Sequence, residues 1–285
     1  MEYVTLNNGV KMPKLGFGVY KIPKEECEKS VLDAIKVGYR LIDTAQAYYN
    51  EEEVGNAISK CNIPRNELFI TTKIWLDNYG YEKTKKSLLV SMKKLKVDYI
   101  DLVLLHQPFS DYYGAYRALQ DFYKEGKIRA IGVSNFRPDR LADMVAFNEI
   151  PPQVNQIETN PLNQQVEAQE NMVKRHVQME AWAPFAEGMN NMFKNPVLME
   201  IAKKYQKSTA QIILRWLMQR DVVALAKSTH MERMKENIDI FDFIISAEDM
   251  KTIAELDTKT FLLDHQSPET VDIFVKLIEE RREKN

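Results

Sequence analysis

At 285 residues with 45% hydrophobic side chains, the chain can fill one sizeable core, as a single α/β barrel or two small domains would. Its formal net charge of −2 excludes a broad basic field, and with it nucleic acid or an anionic membrane surface as the main partner. Two cysteines, Cys27 and Cys61, are too few for a disulfide framework. No signal-like apolar run follows Met1, and no window approaches the ~20 apolar residues of a membrane span, so a cytoplasmic protein is expected.

The N-terminus reads as a hairpin. Val4-Thr5-Leu6 and Val10-Lys11-Met12 flank Asn7-Asn8-Gly9, and Asn-Gly tolerates the positive φ of a tight turn. Short apolar runs then alternate with amphipathic segments at the spacing of βα units. Strands are expected over 15–18, 41–43, 68–73, 100–106, 130–134, 153–158, 178–182 and 222–226. Between them, Lys24–Val37 and Tyr81–Leu95 carry apolar residues on one helical face, and 211–218 is apolar nearly all round. Leu102-Val103-Leu104-Leu105 is continuously apolar, as a parallel strand covered on both faces must be. Eight strands with eight crossover helices point to a closed (β/α)8 TIM barrel; an open doubly wound sheet is the alternative. The seventh connection is the longest, and its loop-like residues 186–196 could cover a site.

In such a barrel the active site lies at the C-terminal ends of the strands. There the chain places Asp43 with Tyr48 five residues on, Lys73, His106, Ser134-Asn135, Gln156, Trp182 and Lys227-Ser228. Four of these suggest proton chemistry. A phenol is too weak an acid at neutral pH; a nearby ammonium favours its phenolate, a carboxylate orients the ammonium, and an imidazole places a carbonyl. Taken singly, each has a plain reading: Lys73 as a solvated or ion-paired group, His106 as a structural histidine, Asp43-Thr44 as a turn cap, Tyr48 as packing. The joint arrangement carries the functional one.

Gly38-Tyr39-Arg40-Leu41-Ile42-Asp43-Thr44-Ala45-Gln46-Ala47-Tyr48, Thr71-Thr72-Lys73-Ile74-Trp75, Leu104-Leu105-His106, Gly132-Val133-Ser134-Asn135-Phe136, Asn155-Gln156-Ile157-Glu158 and Ala181-Trp182-Ala183-Pro184 resemble, in order and spacing, the motifs of the aldo-keto reductases. The match covers nearly the whole chain. It implies one barrel domain over residues 1–285, with the hairpin at its start and a short tail after residues 261–265, and monomeric. It implies no metal. It implies reduction of a small-molecule carbonyl by NADPH, with Asp43, Tyr48, Lys73 and His106 as catalytic tetrad and Tyr48 as proton donor. Ser134, Asn135 and Gln156 would bind the nicotinamide carboxamide and Trp182 would stack on the ring. Lys227, Ser228 and Arg233 would hold the 2′-phosphate of NADPH/NADP+, with Glu236 and Asn237 at the adenine. A dianion suits a point charge, a hydroxyl and a forked guanidinium, and a helix starting near His230 would add its N-terminal amides.

The chain departs from the family's common residues at Tyr20, Tyr49, Gln107, Phe185 and Ala226. Tyr20, Tyr49, Trp75, Gln107 and Phe109 are expected to line an aromatic, partly polar substrate pocket. Rival readings remain. Tyr79-x-x-x-Lys83 and Tyr81-x-x-x-Lys85 fit the spacing of short-chain reductases, but Gly16-Phe17-Gly18 lacks the third glycine of a dinucleotide turn. A Schiff-base aldolase on Lys73 leaves the phosphate-binding segment unexplained. A non-catalytic NADPH-sensing module would not need an intact tetrad. A double-bond reductase on this fold would resemble the members with Glu in place of His106.

Overall fold

A computed structural model describes residues 1–284; Asn285, the last residue of the expected domain, lies outside the described residues. β1 (Tyr3–Thr5) and β2 (Lys11–Pro13) pair antiparallel with Val4 opposite Met12. Gly9 closes the turn at φ 84°, the left-handed region that glycine enters without a Cβ clash. Val4, Leu6 and Met12 are buried together with Leu41, Phe69, Leu102, Ala130, Val154 and Val223, so the hairpin seals the N-terminal end of the barrel interior.

The barrel strands are β3 (Leu15–Gly18), β4 (Leu41–Asp43), β5 (Phe69–Ile74), β6 (Ile100–Leu105), β7 (Ile128–Ser134), β8 (Val154–Glu158), β9 (Gln178–Trp182) and β10 (Val223–Ala226). They run parallel in one closed ring, with β10 joining β9 back to β3, so the closed barrel holds and the open sheet does not. The alternation of β6 shows how sequence sets the layers. Leu102 and Leu104 pack in the barrel interior, while Val103 and Leu105 join the larger layer between barrel and helices. A fully buried side chain of this size contributes about 1.5–3 kcal/mol.

The surrounding helices are α1 (Lys24–Val37), α2 (Glu51–Lys60), α3 (Tyr81–Leu95), α4 (Tyr112–Lys124), α5 (Pro138–Phe147), α6 (Val166–Lys174), α7 (Pro196–Tyr205), α8 (Thr209–Gln219), α9 (Met231–Ile238), α10 (Ala247–Ala254) and α11 (Pro268–Lys284). α7 and α8 both lie in the β9–β10 connection, which explains its length. α8 starts on a capping box between Ser208 and Gln211 and buries every residue from Gln211 to Met218. α2 and α3 meet at Gly55, where an added Cβ would stand 2.1 Å from the Lys94 carbonyl oxygen. The tail after Phe261 is more structured than its sequence suggested: α11 folds back and buries Phe274. Among the described residues, no helix is long and apolar enough to cross a membrane.

Candidate active site

Strand ends two to four supply the centre. β4 ends in Asp43, β5 carries Lys73, and His106 follows β6. Tyr48 closes a single 3-10 turn, Gln46–Tyr48, that returns the chain over β5. The Gln46 side chain fixes this turn by accepting from the Trp75 backbone N–H at 3.0 Å and from Asn78 Nδ2 at 2.9 Å.

Lys73 is wholly buried, and three oxygens surround its Nζ: Asp43 Oδ1 at 2.5 Å, the Thr44 carbonyl at 3.0 Å and Tyr48 Oη at 3.4 Å. Burial pulls the Lys73 ammonium down, yet the Asp43 carboxylate and the Tyr48 phenol outweigh it and hold the lysine charged. For Tyr48 the balance corrects a sequence expectation. Burial pushes the phenol up to about 12, more than Lys73 draws it down. His106 sits edge-on to Tyr48 at 5.7 Å and to Trp75 at 5.0 Å between ring centroids.

The next strand ends extend one connected network. Gln156 Nε2 donates to Asp43 Oδ2 at 3.1 Å and to Glu180 Oε2 at 2.9 Å. Ser134 Oγ donates to the Gln156 carbonyl at 2.9 Å. Asn135, in left-handed backbone at φ 66°, donates through Nδ2 to the His106 carbonyl at 3.1 Å and to Gln107 Oε1 at 3.4 Å. Its Oδ1 accepts from Trp182 Nε1 at 2.8 Å, which fixes the indole over the mouth.

The expected pocket residues divide. Tyr20 lies 5.0 Å from the Tyr48 ring and Trp75 lines the His106 side. Gln107 is buried against Asn135. Phe109 packs at 5.8 Å on Phe274, which also meets Trp75 at 5.6 Å. Tyr49, at φ 58° on the turn beyond Tyr48, is among the more exposed aromatic residues.

Three features escaped the sequence reading. The first is the tail. Glu158 accepts the Leu262 backbone N–H at 2.9 Å, and Arg137 pairs with Asp264 at 2.7 Å. Thus held, His265 stacks on Phe274 and faces Trp182 at 6.4 Å. A cavity of about 500 Å³ opens beside it, lined by Phe109, Arg137, Arg140, His265 and Val271. The second is an ion pair of 2.6 Å between Lys21 after β3 and Glu187 after β9. These strands flank β10, so the pair bridges the strand end that leads to α9. The third is Glu180, a wholly buried carboxyl inside the barrel.

Beyond β10, Ser228 is buried and its Oγ accepts from the His230 backbone N–H at 3.0 Å, shaping the entry to α9. Lys227 and Arg233 are exposed and, among the described residues, form no ion pair. Two unneutralised cations beside a helix N-terminus fit a phosphate dianion, and the polar strand ends under Trp182 fit a carboxamide. Among the described residues no cluster of His, Cys, Asp or Glu could hold a metal ion.

Comparison with known proteins agrees with this geometry. Residues 14–258 match the profile of the Aldo/keto reductase family. The chain is 47% identical over 257 residues to glyoxal reductase of Bacillus subtilis, covering 90% of this chain and 92% of that one. It is 40% identical over 257 residues to methylglyoxal reductase DkgA of Escherichia coli K12, covering 89% and 93%. A Bombyx mori aldo-keto reductase solved in complex with NADP superposes with a TM-score of 0.88 at 33% identity, covering 92% of this chain and 95% of that one. The chain belongs to the aldo/keto reductase family and is an NADP-dependent oxidoreductase.

Proposed function

We propose that the protein reduces small aldehydes, α-oxo aldehydes foremost, to alcohols, with Tyr48 as the proton donor. The observation that carries this is the single cluster of Tyr48 Oη, Lys73 Nζ and Asp43 Oδ1, with His106 edge-on to the phenol. NADPH, when bound, supplies the hydride. Tyr48 delivers the proton from Oη to the oxygen that becomes the alkoxide. Lys73, kept charged by Asp43, compensates the phenolate left behind, so a phenol too weak an acid in the resting pocket becomes a usable donor as negative charge develops. His106 orients the carbonyl oxygen, and Trp75, Tyr20, Phe109 and Phe274 exclude water.

For the cofactor, Ser134, Asn135 and Gln156 hold the carboxamide, Trp182 backs the ring, and Lys227, Ser228 and Arg233 hold the 2′-phosphate with Glu236 and Asn237 at the adenine. The Lys21–Glu187 pair acts as a strap between these two ends. The names of the two bacterial relatives support a glyoxal-type substrate, and the packing of Phe274 onto Trp75 and Phe109 beside His106 favours a compact one. Residues 1–285 work as one monomeric domain. Its near-neutral charge and two free cysteines suit a cytoplasmic setting without nucleic-acid or membrane partners.

The test is NADPH oxidation against α-oxo aldehydes, aromatic aldehydes, sugar ketones and steroid ketones. The highest kcat/KM is expected for the α-oxo aldehydes. Turnover confined to steroid ketones would refute the compact pocket, and no turnover of any carbonyl would refute the reading as a reductase.

A further inference from the structure

We infer that Glu180 is a positioning residue that stands uncharged beneath the nicotinamide site, fixing the Gln156 amide so that its oxygen faces the carboxamide and keeping the site suited to the uncharged, hydride-bearing ring. This rests on the reading of Gln156 and the tetrad given above.

Glu180 lies on β9 in register with Gln156 on β8, wholly buried. Gln156 has two amide hydrogens. One goes to Asp43 Oδ2 and the other to Glu180 Oε2. With both so directed, Oε1 is the end of the amide left for a donor, and a carboxamide NH2 is such a donor. Without Glu180, one hydrogen would be released and the amide could turn.

Asp43 from β4 and Lys73 from β5 are the charged groups that face Glu180 inside the barrel. β8 offers the neutral Gln156, and β10 sets the apolar Val223 in register. α6, on the outer side of β9, carries Glu167, Glu170 and Lys174 exposed. One buried cation therefore faces two buried carboxyls, and Asp43 already holds it at 2.5 Å. Among the described residues nothing hydrogen-bonds Glu180 Oε1. A bare charge there would be far more costly than a proton. Burial, reinforced by the Asp43 carboxylate, pushes Glu180 up to about 8, so it is protonated at neutral pH.

The oxidised nicotinamide is cationic and the reduced one is not. A carboxylate close below the ring would favour the oxidised form; a neutral carboxyl leaves the reduced form its affinity.

The test uses binding in a Tyr48→Phe background, which removes the Tyr48 phenol from the site. NADPH and NADP+ dissociation constants are measured from about pH 6 to about pH 9.5. As pH rises, the NADPH/NADP+ ratio of dissociation constants is expected to climb about tenfold in Y48F and to stay flat in Y48F/E180Q. Glu180→Leu, which removes the acceptor, should weaken NADPH about tenfold while Glu180→Gln stays near wild type.

A second readout needs no ligand. The folded-state pKa lies above the unfolded value, so this carboxyl stabilises the fold at low pH, and that contribution is lost as pH rises towards about 8. The Tm of E180Q should therefore gain on wild type between about pH 5 and about pH 9. Identical ratios in Y48F and Y48F/E180Q, or a constant Tm difference, would overturn the proposal. If Y48F alone retained turnover, the reading of the tetrad would fail instead, which keeps the two failures distinct.

Discussion

Arg233 and Lys227 carry positive charge that no carboxylate among the described residues neutralises, and in the proposed 2′-phosphate site this surplus would favour NADPH over NADH. A charge-assisted hydrogen bond to phosphate is worth about 1.5–3 kcal/mol. Arg233→Ala should thus weaken NADPH about 10–100-fold and leave NADH unchanged, as read by fluorescence titration of both. Equal losses would place the guanidinium elsewhere. At this scale the sequence was most legible. Asp43 and His106 each end an apolar run, Lys73, Gln156 and Trp182 stand at or near the ends of their strands, and a closed barrel brings such ends to one rim. The acidity of Tyr48 was not legible: whether Lys73 or burial dominates depends on a 3.4 Å approach and on how far the ring is withdrawn from water, and neither is written in residue spacing. Glu180 left a faint trace, an acid set between the apolar Met179 and Ala181 in mid-strand.

The element least visible beforehand is the tail. Its helix α11 is amphipathic only weakly, and its seat depends on contacts more than a hundred residues away, from Glu158 to Leu262 and from Arg137 to Asp264. His265 in this tail is pushed down to about 4 by burial. Its folded value lies below the unfolded one, so the unfolded chain takes up the proton first as pH falls. Stability should fall from about pH 6.5 to about pH 4, by on the order of 2–3 kcal/mol. His265→Phe, which keeps a ring against Phe274, should show a shallower decline in urea titrations over that interval. The same slope in both proteins would contradict a neutral imidazole seated against Phe274. The helical layer makes a second demand at Gly55, where the α2–α3 approach leaves no space for a methyl group. Gly55→Ala should cost about 1–3 kcal/mol with little change in kcat at permissive temperature, measured by denaturation and steady-state kinetics.

Across the whole molecule the two rims of the barrel divide the labour. The N-terminal rim is closed by the hairpin, and beside it the Asp101 carboxylate on β6 is held by Arg65 and Arg129 at 2.7 Å each. The C-terminal rim gathers the network from Tyr48 to Trp182 and continues to α9 beneath the Lys21–Glu187 pair. Because that pair is exposed, its hold should weaken with salt. Lys21→Ala should speed NADPH release in stopped-flow displacement without altering the fold. Single-turnover NADPH oxidation by Tyr48→Phe with a saturating α-oxo aldehyde, alongside its NADPH dissociation constant, reads the proton-donor role of Tyr48 without interference from product release. The hydride-transfer rate should fall about 10²–10⁴-fold while NADPH affinity stays within about twofold. A rate near that of the wild type, with the cofactor bound as tightly, would mean that the proton comes from another group.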